Sequence, residues 1–334
     1  MTFLIVSFFT NFRQKTEIKM LKLSIVILFI LANFSAFSQG CSDAGACSVG
    51  ALDLKSDDSP QLTLEYSQSI GLADKESLVF GSELGISQTL LPKTQIEVRI
   101  PYLITVGNLG STSGVGDLLL TLTKGIYTTE KSSFSLVVGG RLNTNDANKK
   151  LDGDPLPMVY QSSLGTNDLI LGLAWQSEKW SISAGWQHSF GNNLNEYLHP
   201  DSVELPKRKQ YYESAYLDRG DDLMIRIQRT VKLNEENTIR FGFLPIYRMQ
   251  EDQIKRNGVY EKLPGSSGIT YNVFFNWDRK LSKSSVFNLS LGVPVHAREY
   301  RADGLTRTVI VSAGIRMRFT REDDDFYHGT RYID

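Results

Sequence analysis

From residue 61 to residue 319 this chain alternates apolar and polar residues with a period of two, which confines it to strands with one apolar and one polar face. Ile96, Val98, Ile100 and Tyr102 alternate with Gln95, Glu97 and Arg99, and Trp180, Ile182, Ala184 and Trp186 with Ser181, Ser183 and Gln187. The split persists to Val309, Val311, Ala313, Ile315, Met317 and Phe319, set against Thr308, Ser312, Arg316 and Arg318. Taken segment by segment, the pattern predicts twelve strands, over 61–71, 77–90, 94–105, 117–127, 133–143, 167–176, 179–189, 222–231, 237–249, 268–280, 284–297 and 305–319.

The connections sort by parity. Those at 91–93, 128–132, 177–178, 232–236 and 281–283 follow even-numbered strands and are short, while those at 106–116, 144–166, 190–221 and 250–267 follow odd-numbered strands and are long. A membrane barrel with both chain ends in the periplasm sorts its connections this way, with tight turns inside and extended loops outside. The rival is a soluble Ig-like or jelly-roll protein, which also alternates but carries a solvated face rich in Lys and Glu. Here the polar face is mostly Ser, Thr, Gly, Asn and Gln. Aromatic residues such as Tyr102, Tyr127, Trp175, Trp180 and Phe319 fall toward strand ends, as an interfacial girdle requires. The expected fold class is therefore all-β: a transmembrane, antiparallel up-and-down β-barrel of about twelve strands. Lys124, on the nominally apolar face of its strand, predicts a membrane boundary.

Composition removes other classes. Past residue 40 no apolar run approaches the roughly 20 residues of a membrane helix. With 36 Lys+Arg against 37 Asp+Glu there is no basic surplus for nucleic acid. The run MLKLSIVILFILANFSAFSQ from Met20 has a positive start at Lys22, an apolar core over 23–34 and small residues Ala36 and Ser38 before Gln39, the pattern of a cleaved signal peptide. Residues 1–19 then read as an overlong start. The expected plan is a start region and signal peptide at 1–38, a periplasmic segment with a cysteine pair at 39–60, a barrel at 61–319 and an acidic tail at 320–334. Cys41 and Cys47, in CSDAGAC, predict a disulfide closing a small loop in an exported protein. The alternative is lipidation at Cys41, although Ser38-Gln39-Gly40 lacks the usual aliphatic residue three positions earlier.

The segment GVGDLLLTLTKGIY (Gly114 to Tyr127), followed by a hairpin into SFSLVVGGRLNTND, resembles the Gly-x-Gly-Asp strand opening of the outer-membrane family labelled MetA-pathway of phenol degradation. GTNDLILGLAW (Gly165 to Trp175) is similar to a second copy of that opening, and LSLGVPV (Leu289 to Val295) resembles the family's penultimate strand. The resemblance implies an outer-membrane barrel related in role to channels for hydrophobic compounds. Read from the residues alone, Gly114, Gly116 and Asp117 make a tight entry from loop to strand, with Asp accepting from neighbouring backbone N–H groups.

No P-loop, zinc-protease helix or Gly-x-Ser-x-Gly elbow occurs, and no cofactor is implied. His188, His199, His296 and His328 are scattered without ligand spacing. His188 and Ser189 are adjacent and so point to opposite faces of a strand, which argues against a nucleophile–base pair and for a non-enzymatic protein.

The inward charges predicted by the alternation are Glu65, Glu83, Glu97, Arg99, Arg141, Arg226, Arg240, Arg316 and Arg318. They would line a pore and select permeants, or pair across the lumen and plug it. The surplus of Arg predicts weak anion preference if the lumen is open. The loop through PKRKQYYES, with Lys207, Arg208, Lys209, Tyr211, Tyr212 and Tyr216, would fold inward, meet an external ligand or stand as a solvated basic patch. The acidic run Glu322–Asp325 reads as solvent-facing. The expectation is a monomeric channel passing a small molecule passively, hydrophobic or aromatic compounds included, with outer-membrane lipid and the barrel-assembly machinery as partners. The alternative is a closed structural or adhesion barrel presenting its long loops.

Overall fold

The computed structural model describes residues 61–199, 206–304 and 306–320. The strands in chain order are β1 (Gln61–Ala73), β2 (Ser77–Leu91), β3 (Thr94–Gly107), β4 (Gly110–Val115), β5 (Leu118–Thr128), β6 (Ser132–Leu142), β7 (Lys150–Leu151), β8 (Asp154–Pro155) and β9 (Asn167–Ser177). They continue as β10 (Trp180–Phe190), β11 (Asp222–Lys232), β12 (Asn237–Arg248), β13 (Gln253–Arg256), β14 (Val259–Lys262), β15 (Gly268–Lys280), β16 (Ser285–His296) and β17 (Val309–Thr320).

Two small hairpins, β7–β8 and β13–β14, stand apart in the long loops. The others form one antiparallel wall in which, β4 and β5 apart, each strand pairs with the next in the wall. β1 pairs with both β2 and β17, and β2 with β3, so the ring closes. β4 and β5 are two halves of one wall strand, because β3 pairs with β4 over 102–107 and with β5 over 94–99. The described residues thus form a closed barrel of twelve wall strands, the fold class that the alternation predicts.

Closure explains the residue pattern. With no edge left, every wall residue faces either out or in. Tyr66, Ile70 and Leu72 of β1 are exposed outward, while Glu65, Ser67 and Ser69 between them turn inward. The twelve predicted segments coincide with the wall strands to within a few residues. The connection 106–116 differs: it was expected as a loop, and most of it is strand β4, folded back on β3 with its turn at Asn108-Leu109. Ser, Thr and Gly fill this extension, so it carried no apolar alternation.

The interruption between β4 and β5 has a cause in β3. Pro101 lacks an N–H, and its carbonyl faces this neighbour, where it accepts from Gly116 N at 2.8 Å. The missing donor on that side leaves a gap in the ladder, and the wall strand opens at Gly116-Asp117. A Cβ at Gly116 would stand 2.9 Å from both Pro101 Cγ and the Ser162 carbonyl oxygen, so glycine is needed for the close approach.

Tyr127, Trp175, Trp180 and Phe319 sit near the turn end of their strands, and Lys124 pairs with Thr94, the first residue of β3. Tyr102 does not belong to that girdle. β3 runs on to Gly107, which places Tyr102 well inside the strand, beside Ser82 of β2. The predicted signal peptide, the Cys41–Cys47 pair and the tail beyond Thr320 lie outside the described residues.

Candidate functional site

The interior holds two charged layers, one toward the short turns and one toward the long loops. In the turn half, Arg316 of β17, Glu65 of β1, Gly85 of β2 and Arg99 of β3 occupy one cross-strand row. Arg316 Nε donates to Glu65 at 3.0 Å. Arg99 reaches across Gly85 to Glu65 at 3.6 Å and donates to Glu83 and Glu97, each at 2.6 Å. Because Gly85 has no side chain, the guanidinium can lean over it; a Cβ there would lie 3.8 Å from Arg99 Cζ. On the facing wall Arg240 donates to Asp278 at 2.6 Å, and Asn288 holds the other oxygen of that carboxylate. Arg226 lies 4.2 Å over the ring of Phe274 and donates to Gln228. Met224, Leu244, Ile246 and Phe274 give this wall an apolar patch.

At the loop end the charges form an alternating chain. Arg141 of β6 donates to Asp168 of β9 at 2.5 Å, and Asp168 also takes Arg219 at 3.2 Å. Arg219 continues to Asp222 at 3.6 Å, Asp222 to Arg248 at 2.7 Å and Arg248 to Asp303 at 3.1 Å. Arg298 closes the series on Asp303, and Asp252 is a further partner of Arg248. Arg141, Asp168, Asp222 and Arg248 belong to wall strands, whereas Arg219, Asp252, Arg298 and Asp303 come from three loops. The chain therefore fastens loops to wall. Burial alone would raise the Asp303 carboxyl, but Arg298, Arg248 and Arg219 outweigh it and hold it well below the usual carboxylate range.

The loop between β6 and β9 enters the barrel mouth. Its residues 156–166 are all buried, with Tyr160 fully enclosed. Thr105 and Thr112 donate to the carbonyls of Val159 and Tyr160. The Tyr160 hydroxyl accepts from Leu109 N at 3.0 Å and bonds the Tyr211 hydroxyl at 3.2 Å, which joins this loop to the one before β11. Asp117, exposed to the mouth by the break at Pro101, takes the Ser163 hydroxyl and accepts from Leu164 N at 2.8 Å. The two Gly-x-x-Asp copies thus meet: Asp117 of the first anchors the chain entering the second, whose Asp168 carries Arg141 and Arg219. Beneath this loop lies a cavity of about 130 Å³ lined by Val79, Glu83, Arg99, Leu119, Arg141 and Met158 among others.

Asn193 and Asn195 stitch the outer layer. Asn193 Oδ1 accepts from Leu217 N, and Asn195 Nδ2 donates to the carbonyls of Ala147 and Leu156. Glu213 accepts from His199 N at 2.8 Å and from Arg256. The partial burial of Glu213 raises its carboxyl, and those donors more than reverse the shift, leaving it below the ordinary value.

Of the nine inward charges named from sequence, Glu65, Glu83, Glu97, Arg99 and Arg316 share one network, while Arg226 and Arg240 stand on the facing wall. Arg318 lies on β17 one inward position from Arg316, and Arg141 belongs to the loop-end chain instead. The basic loop segment is divided: Lys207 and Lys209 are exposed, whereas Arg208 stacks on Tyr197 and donates to the Pro155 carbonyl, and Tyr211 is buried. A wholly solvated patch is thus corrected, because half the segment packs into the cap. His188 faces outward on Trp186 and contacts Asp221 at 2.7 Å, with Ser189 turned inward. Sequence reasoning missed Asp168, Arg219, Asp222, Arg248, Asp252, Arg298 and Asp303. Most lie in loops or at strand ends, where alternation gives no facing.

Fold and interior together define a closed, twelve-stranded antiparallel barrel with a charged lumen and a loop-filled mouth. Among solved structures it is similar to an outer-membrane channel from Pseudomonas putida F1, at 14% identity over 78% of this chain and 96% of that one, with a TM-score of 0.54. The likeness is one of fold. The NanC porin (6% identity, 77% and 98% covered, TM-score 0.46) and the KdgM porin (7%, 77% and 99%, 0.42) are more distant. No protein-family model and no curated protein matches the chain.

Proposed function

We propose that the protein is a passive channel of the bacterial outer membrane, exported by the signal peptide ahead of Gln39, with its short turns in the periplasm. The observation that carries this reading is a closed barrel, apolar outside, whose inward face holds a charged, polar lumen. A barrel serving only as an anchor has no need to bury this many ion pairs, since desolvating them is costly. The permeant is a small molecule. The resemblance of Gly114–Tyr127 and Gly165–Trp175 to the MetA-pathway family supports hydrophobic or aromatic compounds, and the apolar Phe274 patch beside Arg226 suits an aromatic ring. Glu65, Glu83, Glu97, Arg99, Arg226, Arg240, Arg316 and Arg318 line the path in its turn half, and Arg141 lines it at the mouth.

The second reading, a closed structural or adhesion barrel, is favoured by the packing of residues 156–166 into the mouth. In the channel reading the same segment is a gate. Fractionation and heat-modifiable gel migration test the location. Bilayer conductance tests the rest, on the wild type and on a variant with 156–162 replaced by a short Gly-Ser linker. Steady current in the variant supports the gated channel; a silent variant that still shows the folded-barrel gel shift supports the closed barrel.

A further inference from the structure

Among the described residues, the outward surface carries one polar interruption at mid-strand. Along β1 the outward residues run Leu64, Tyr66, Gln68, Ile70, Leu72, and along β2 they run Phe80, Ser82, Leu84, Ile86. Gln68 and Ser82 are direct cross-strand partners near the middle of their strands, with Ala313 of β17 opposite Gln68 on one side and Tyr102 of β3 opposite Ser82 on the other. Elsewhere around the described wall the mid-strand outward residues are apolar: Leu120, Leu171, Ile225, Phe243 and Leu291 among them. Gln68 Nε2 donates to the Tyr66 hydroxyl at 3.0 Å, and among the described residues no group donates to its amide oxygen.

An amide facing hydrocarbon cannot turn to water, so an unmet acceptor there is unfavourable unless another protein supplies the donor. A primary amide offers two N–H donors and one carbonyl, and is therefore complementary to itself. Two copies of one chain in a bilayer share orientation and are related by a two-fold axis along the membrane normal, which sets a patch against the same patch. Ala313 and Ser82, the small residues flanking Gln68, let two walls approach closely at that row. We propose that two copies of this barrel associate through the β17–β1–β2 face, with each Gln68 amide oxygen accepting from its counterpart, and Ser82 and Tyr102 around the contact. This departs from the monomer expected from sequence. It does not depend on what the lumen passes.

The test uses the full chain in outer-membrane vesicles and after mild detergent extraction. A photoreactive benzoylphenylalanine in place of Ala313 should give, on irradiation, an adduct of twice the chain mass containing only this chain; the same group in place of Phe241, on the far wall, should give none. Gln68→Leu should weaken self-association about tenfold in sedimentation equilibrium while leaving the heat-modifiable gel shift unchanged. Gln68→Asn, which keeps the amide, should retain most of the association. A monomeric wild type, an adduct to lipid or to another protein, or equal cross-linking from both positions would each overturn the proposal.

Discussion

Arg248, near the end of β12, donates to Asp303, in the loop before the last strand, at 3.1 Å, and both side chains are almost completely buried. This pair joins barrel wall to cap. Arg248→Met would leave Asp222, Asp252 and Asp303 without their shared cation, and breaking a buried pair from one side costs about 3–5 kcal/mol. The expected outcome is a lower midpoint temperature for the folded-to-unfolded gel shift, together with faster protease cleavage in the loop containing Asp303.

Acid should loosen the outer cap through Glu213. Its folded carboxyl sits below the ordinary value, so its stabilising effect is complete above the ordinary glutamate range and is lost as pH falls through the lowered one. Protection factors of the amides at 197–199 and 211–214, corrected for the slower intrinsic exchange in acid, should fall as the pH is lowered from about 6 through the glutamate range. In Glu213→Gln the protection should be low throughout that range.

Ion selectivity should follow Arg99. The turn half holds Arg99, Arg226, Arg240, Arg316 and Arg318 against Glu65, Glu83, Glu97 and Asp278, a slight positive excess that predicts weak anion preference. Arg99→Gln leaves Glu83 and Glu97 without the guanidinium that pairs them. With the 156–162 segment replaced to hold the path open, the reversal potential should move to near zero, the anion preference being lost. No change would mean that permeant ions avoid this belt.

Gly85 separates the space an atom needs from the space a guanidinium needs. A Cβ there meets Glu65 Cβ at 3.5 Å, an ordinary contact, so Gly85→Ala should change stability by no more than about 0.5 kcal/mol. Gly85→Leu fills the gap that Arg99 crosses and should cost about 1–3 kcal/mol. Thermal midpoints from the gel shift distinguish the two.

How far the sequence could be read follows from where alternation has a physical cause. Across a band of wall that is apolar outside and polar inside every second residue must be apolar, so Ile96, Val98 and Ile100 announced β3 and its neighbours with nearly the observed bounds. Beyond that band the constraint lapses. Ser111 and Thr112 belong to a strand that stands clear of it and looked like loop, and the cap is built from asparagines and aspartates whose partners lie far along the chain. Arg141 was recognised as inward, but no local signal could assign it to Asp168 rather than to the Arg99 network. Asp117 read as a turn former, but the groups it holds, Thr144, Ser163 and Leu164, come from a loop whose path the sequence did not reveal.

The seam between β1 and β17 also orders events in time. It matches twelve residue pairs, from Gln61 with Thr320 to Leu72 with Val309, and its Glu65–Arg316 contact links positions 251 residues apart. Contacts of such separation are the slowest to find each other. Until β17 arrives, β1 and β16 are bare edges with unpaired N–H and C=O groups, open to any passing strand. A nascent wall of this kind carries two raw margins for as long as the final hairpin takes to be delivered.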